Sequence, residues 1–108
     1  MLLGGDFNVV ANPAIDSFPP KSTRSPREWG ILSGKMQQWG ICDLHSRHSP
    51  GETQITHWQN TQVGVVGNRI DYIFVSAQMA QVFSETQLQV CSFSDHLGVT
   101  TKIGRAHV

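Results

Sequence analysis

Apolar positions in this chain come in short runs separated by Gly, Pro, Asn and Ser, and only one stretch repeats at helical spacing. Met1 to Phe7 reads as a buried strand. Asn12-Pro13 and Phe18-Pro19-Pro20 then mark a loop that resists regular structure. Ser25-Pro26-Arg27-Glu28 predicts a helix start, with Ser25 as cap, Pro26 at the first helical position and Glu28 completing a capping box. Trp29, Leu32, Met36 and Trp39 follow as one apolar face, a core stripe, and Gly40 is a natural stop. Gly30 and Gly34 each weaken that helix by about 1 kcal/mol relative to Ala, so it depends on tertiary packing.

Downstream, Ile41 to Leu44 predicts a short strand and Ser49-Pro50-Gly51 a turn. Gln54 to Trp58 predicts a strand, and Asn60 to Gly67 a loop or hairpin. Asn68 to Val75, rich in Ile, Tyr, Phe and Val, is the clearest strand of the chain. Ala77 to Phe83 holds a helical turn, and Thr86 to Phe93 and Leu97 to Lys102 alternate like strands. The pattern predicts an α/β chain of mostly antiparallel strands with one capped helix packed on a sheet.

Acidic residues interrupt these apolar runs where a charge is costly without a partner or a job. Asp6 and Asn8 lie two apart on an extended segment and face the same side, while Phe7 points into the core. A carboxylate there can orient or deprotonate water, and an amide can hold a phosphate oxygen. The plainer reading is a strand-end turn, which Asp and Asn both stabilise through their own side chains. Asp71 sits mid-strand, where Asp is disfavoured, and must be paired. Arg69 on the same face offers a plain salt bridge; His96 offers a functional partner whose tautomer and charge the carboxylate would fix. His96 could stabilise charge on a phosphorane-like transition state, and Asp95 beside it could ligate a divalent metal.

Other candidates weigh less. Cys42, His45 and His48 have a C-x2-H-x2-H spacing, but no fourth zinc ligand is suitably placed, and Arg47 and His48 read as an exposed loop. His57 has no partner in sequence and is assigned a surface or cross-strand position. Formal charge is zero, so no global basic field draws in a polyanion, although a local groove would suffice. Lys21, Arg24, Arg27 and Lys35, opposed only by Glu28, make the one basic stretch. Cys42 and Cys91 read as reduced thiols rather than a disulfide. No apolar run approaches the ~20 residues of a membrane span. With no leader-like start, the expectation is a soluble intracellular chain. Residues 103–108, Ile-Gly-Arg-Ala-His-Val, are what a common sequencing-library adapter encodes in one frame, so they are expected to be a non-native tail.

Gly5-Asp6-Phe7-Asn8, Arg69-Ile70-Asp71-Tyr72-Ile73 and Ser94-Asp95-His96, in this order, resemble the endonuclease/exonuclease/phosphatase family. The Arg69-Ile70-Asp71-Tyr72-Ile73 form resembles its DNA-nicking and abasic-site endonucleases; the Trp-Cys-Asp-Arg segment of the inositol-phosphatase branch is absent. Cys42-Asp43-Leu44, Arg47, Pro50, Thr56 and Trp58 are similar to the corresponding stretch in endonucleases of non-LTR (LINE-type) retrotransposons.

The resemblance implies that Asp6 activates or orients the nucleophilic water, Asn8 contacts the scissile phosphate and Asp71 orients His96. It further implies that His96 binds the phosphate and stabilises the transition state, that Asp95 belongs to the metal site, and that Arg69 is framework. It implies Mg2+ (or Mn2+) as cofactor, DNA as partner with no membrane or small-molecule cofactor, and a nuclear location if the chain derives from a retrotransposon. Residues 1–102 would be the C-terminal half of a two-sheet, DNase I-like four-layer sandwich flanked by helices. The family's principal metal-ligating Glu and another phosphate-binding Asn would lie upstream of Asp6. The expectation is therefore phosphodiester hydrolysis, as DNA nicking, by the full-length parent and little or none by this chain alone. The alternatives are a non-catalytic remnant or binding module, and a small-molecule or lipid phosphatase on the same scaffold.

Overall fold

The computed structural model describes residues 2–103. Its central strand is β6 (Asp71–Ser76), flanked antiparallel by β1 (Leu2–Asp6) on one side and β3 (Ile41–Asp43) on the other. A second antiparallel sheet has the order β2-β5-β4, from Ser17–Phe18, Gly64–Asn68 and His57–Thr61. The short strands β7 (Gln87–Gln89) and β8 (Gly98–Thr100) form a separate ribbon. Among the described residues three helices complete the order: α1 (Arg27–Trp39), α2 (Leu44–His48) and α3 (Ala77–Ala80). The fold is thus mixed α/β with antiparallel sheets.

β6 is apolar on both faces because both are covered. Tyr72 and Phe74 point to Met36 and Ile41, with Phe7, Trp29 and Leu32 packed against them. Val75 joins Leu44, Ala80 and Phe83 in a second cluster, against which Ile73 and Cys42 pack. The first cluster is largely aromatic: Phe7 meets Phe74 edge-on at 4.9 Å, and Trp29 stacks on Tyr72 at 5.6 Å. Such pairs each add about 0.5–1.5 kcal/mol beyond the area they bury. The Tyr72 hydroxyl, deep in this cluster, accepts from the Ala11 amide and donates to the Val9 carbonyl at 2.6 Å. That contact pins the loop leaving β1.

The helix stops at Gly40, whose φ of 67° and bonds to the Met36 and Gln37 carbonyls make a left-handed cap. Its start differs from the expected capping box. Pro26 is the cap residue, in extended conformation, and no side chain caps it. The Pro26 carbonyl accepts from the Trp29 and Gly30 amides, so the helix begins one residue later than the Ser25 pattern implies. Trp29, Leu32 and Met36 face the core as expected, but Trp39 is exposed.

Several strand expectations also change. Met1 lies outside the described residues, and the strand expected over Met1 to Phe7 is not buried from Leu2 to Asp6: β1 is an edge strand of its sheet, and Leu2 and Leu3 are exposed. Its apolar pattern is that of a covered strand, but no described element covers that side. Gln54 to Thr56 precede β4 rather than belonging to it, and β7 stops well short of Phe93. The run from Asn68 to Val75 is broken at Arg69 and Ile70. There the Arg69 amide turns to the Asp16 carbonyl and the Ile70 amide to Thr56 Oγ1, so the chain passes from one sheet to the other. Arg47 and His48 are exposed but helical. Cys42 and Cys91 are free thiols. Among the described residues no helix is long and apolar enough to cross a membrane. Of residues 103–108, only Ile103 is among those described, and it bridges to Phe83; the rest of that stretch lies outside the described residues.

Candidate active site

β1 ends at Asp6 and β6 begins at Asp71, and their register sets these carboxylates directly opposite one another. Like charges so placed repel. His96 sits against both: its Nδ1 is 2.8 Å from Asp71 Oδ2 and its Nε2 is 3.8 Å from Asp6 Oδ2. Asp95 Oδ1 also lies 3.8 Å from that Nε2. One imidazole is therefore ringed by carboxylates from three separated segments of the chain. The hydrogen bond to Asp71 raises the His96 pKa above its ordinary 6.5; burial opposes this, and the charges of Asp71, Asp6 and Asp95 add to it.

Backbone bonds fix the ring's position. Thr56, fully buried, accepts the Leu97 amide at its carbonyl, at 2.6 Å. Its Oγ1 accepts the amides of Ile70 and Asp71 at 3.1 and 3.2 Å. One threonine thus locks the segment carrying His96 to the start of β6 that carries Asp71. Neighbouring His57 pairs with His96 across an antiparallel bridge, ring centroids 4.5 Å apart. Its Nε2 lies 3.1 Å from Asp95 Oδ2, and this bond is the main reason the Asp95 pKa is lowered.

Asn8 stands slightly apart. It adopts a left-handed φ of 53°, which Asn tolerates better than most residues. Its amide N–H donates to Asp6 Oδ1 at 2.8 Å, the strand-end turn that Asp-x-Asn allows. The turn fixes the Asp6 carboxylate by one oxygen and leaves Oδ2 facing His96. The Asn8 side chain is exposed beside it. A cleft of about 380 Å³ reaches the site on the side of Asp71 and His96, lined also by Gly4, Gly5 and Ser94, whereas Asp6, Asn8 and Asp95 lie outside its lining.

The fold has solved counterparts. The endonuclease domain of TRAS1, a telomere-specific non-LTR retrotransposon, superposes with a TM-score of 0.68 at 19% identity, over 94% of this chain and 42% of that one. A 3'-5' exonuclease (NExo) from Neisseria meningitidis superposes with a TM-score of 0.77 at 24% identity, over 96% of this chain and 45% of that one. In sequence, the Transposon TX1 uncharacterized 149 kDa protein of Xenopus laevis is 23% identical over 106 residues. The chain resembles the endonuclease/exonuclease family. No family model matches it. It spans 8% of the TX1 protein's length and less than half of each nuclease chain.

Within this fold, Arg69 is not the partner of Asp71. It is 1% exposed and binds Asp16 through Nε and Nη2, at 2.8 and 3.3 Å, and Asp43 through Nη2 at 2.8 Å. Its guanidinium also lies 4.6 Å from the Tyr72 ring centroid. Burial works against its charge, but the bonds from Asp43 and Asp16 outweigh that and hold it protonated. Among the described residues, Cys42, His45 and His48 gather into no candidate metal cluster. Burial pushes the Cys42 thiol up, and the Nε2 atoms of His45 and His48 are each 2.8 Å from a backbone carbonyl, of Glu52 and Ala80.

Thr56 and His57 are what residue-by-residue reading missed. Thr56 belongs to the retrotransposon-like stretch but carries no chemistry that flags it. His57 shows its partners only once the bridge to His96 forms.

Protonation of His96 is directly measurable. In an NMR titration its midpoint is expected above 6.5, and Asp71→Asn should return it toward that value. Because the folded value is raised, the His96–Asp71 pair stabilises fully below the unfolded pKa of about 6.5 and fades as pH rises through the folded one. An unchanged midpoint in Asp71→Asn would show that this bond does not set the charge.

Proposed function

We propose that this chain supplies the C-terminal half of a phosphodiesterase domain that nicks DNA. The observation that carries this reading is the single imidazole, His96, facing Asp6, Asp71 and Asp95 at an open cleft. Asp71 holds Nδ1, so a protonated His96 presents Nε2–H to a phosphate oxygen and meets the charge that builds there. Asp6, one oxygen bound by the Asn8 amide, uses the other to orient water and take its proton. The Asn8 side chain donates to the phosphate from the same turn.

Asp95 is largely exposed, and with Asp6 it offers hard oxygen donors beside His96 with room for water. That donor set fits a hydrated Mg2+ or Mn2+, held by Asp95 and, in the parent, by an acidic residue upstream. Such an ion would supply charge stabilisation to the phosphate oxygens. The nuclease likenesses and the exposed basic residues Lys21, Arg24, Arg27 and Lys35 favour a nucleic-acid substrate. The expected 1–102 boundary, the non-native tail and a nuclear setting for a retrotransposon-derived parent belong to this proposal too.

The parent protein is expected to nick supercoiled plasmid in Mg2+ and to stop when EDTA is added, while the 108-residue chain alone is inactive. Phosphomonoester release without nicking would instead identify a small-molecule phosphatase. No hydrolysis of either kind would identify a non-catalytic remnant.

A further inference from the structure

His57 has no role in the phosphodiesterase reading, yet it is aimed at that site's most exposed carboxylate. We propose that His57, Asp95 and His96 form a binding site for a borderline-soft transition-metal dication of the zinc or cobalt class. The donor set is two imidazoles and one carboxylate, with ligand atoms all within 4.8 Å of one another. Asp95 turns Oδ2 to His57 Nε2 at 3.1 Å and Oδ1 to His96 Nε2 at 3.8 Å. A tetrahedral ion with bonds of ~2.0–2.1 Å needs its donors about 3.3 Å apart, so small side-chain adjustments suffice. Imidazole nitrogen is a ligand that zinc and cobalt accept readily and magnesium does not.

Two features preorganise the site. The rings are held against each other by the antiparallel bridge between His57 and His96, anchored by the Leu97 amide on the Thr56 carbonyl. The Nδ1 of His96 is already bound to Asp71, so the ligating nitrogen is Nε2. A carboxylate behind a histidine in this way orients the ring and raises its basicity toward a metal. Three protein ligands leave a coordination position for water. Metal binding displaces the proton between His57 and Asp95 and any proton on His96 Nε2.

The site stands on this geometry alone; one consequence rests on the proposed function. An ion bound there occupies the His96 nitrogen and the Asp95 carboxylate that phosphate and Mg2+ need, so zinc would inhibit nicking by direct competition.

The test is a titration of the 108-residue chain with Co2+. Four-coordinate visible absorption bands should saturate at one equivalent, be displaced by Zn2+, and persist in equimolar Mg2+. Asp95→Asn, at a side chain 75% exposed and so harmless to folding, and His57→Phe should each weaken Co2+ binding at least tenfold. Asp71→Asn should weaken it about 10–100-fold, and His48→Gln should leave it unchanged. Absence of the bands in wild type, or their survival in Asp95→Asn and His57→Phe, overturns the proposal. Zinc inhibition of the parent's nicking, relieved in His57→Phe, tests the consequence. A parent that never nicks sinks the functional reading and leaves the cobalt result standing.

Discussion

Replacing Arg69 with methionine is expected to destabilise the fold by about 3–5 kcal/mol, read as a lowered urea midpoint. The side chain is enclosed, and Asp16 and Asp43 are almost as deep, at 4% and 7% side-chain exposure. Removing the guanidinium leaves two buried carboxylates without their counter-charge, and Asp43 Oδ1 already has no hydrogen-bond partner among the described residues. It also removes the cation from the Tyr72 ring. The break between β5 and β6 would lose its side-chain ties to the Asp16 loop and keep only the backbone bond from the residue-69 amide to the Asp16 carbonyl there. Replacing Arg69, Asp16 and Asp43 together with apolar residues should cost far less, because the penalty lies in the orphaned charges. A loss below about 1 kcal/mol for Arg69→Met, the scale of an exposed pair, would show that this network is not buried in solution.

His96→Ala in the parent protein is expected to slow nicking about a hundred- to a thousandfold, the cost of losing one preorganised donor at a charged transition state. Among the described residues the ring is the only group within ion-pair distance of all three carboxylates: 2.8 Å to Asp71 and 3.8 Å to each of Asp6 and Asp95. Its removal would take away the proposed phosphate donor and leave Asp6 and Asp71 facing each other across the ladder. Asn8→Ala should cost less, because the turn that orients Asp6 uses the backbone amide of Asn8 rather than its side chain.

Much of this site was legible from residue types. An Asp among β-formers demands a partner, and Asp71 has one in His96, although they lie 25 residues apart. Trp29, Leu32 and Met36 were placed in the core by period alone. Other features depend on packing that no local pattern carries. Of the two partners left open for Asp71, the Arg69 salt bridge does not form, because same-face neighbours on a strand are only one of the partners a buried guanidinium can reach; Asp16 is 53 residues away in a loop. Trp39 has the period of a core residue, but the layer it would need is absent from the described residues. β1 has the composition of a covered strand for the same reason. The cap moved from Ser25 to Pro26 because extended Pro26 already offers its carbonyl to the Trp29 and Gly30 amides. Thr56 carries no charge, so its role in joining His96 to β6 appears only in the hydrogen bonds.

The proposed role of His96, poised by its carboxylates, is to stabilise the charge that builds as water attacks a phosphodiester. Single-turnover nicking of supercoiled plasmid in Mg2+, by the parent protein and its His96→Ala variant side by side, tests it most directly. A loss of about two to three orders of magnitude with unchanged folding is the predicted result; equal rates for the two proteins would contradict it.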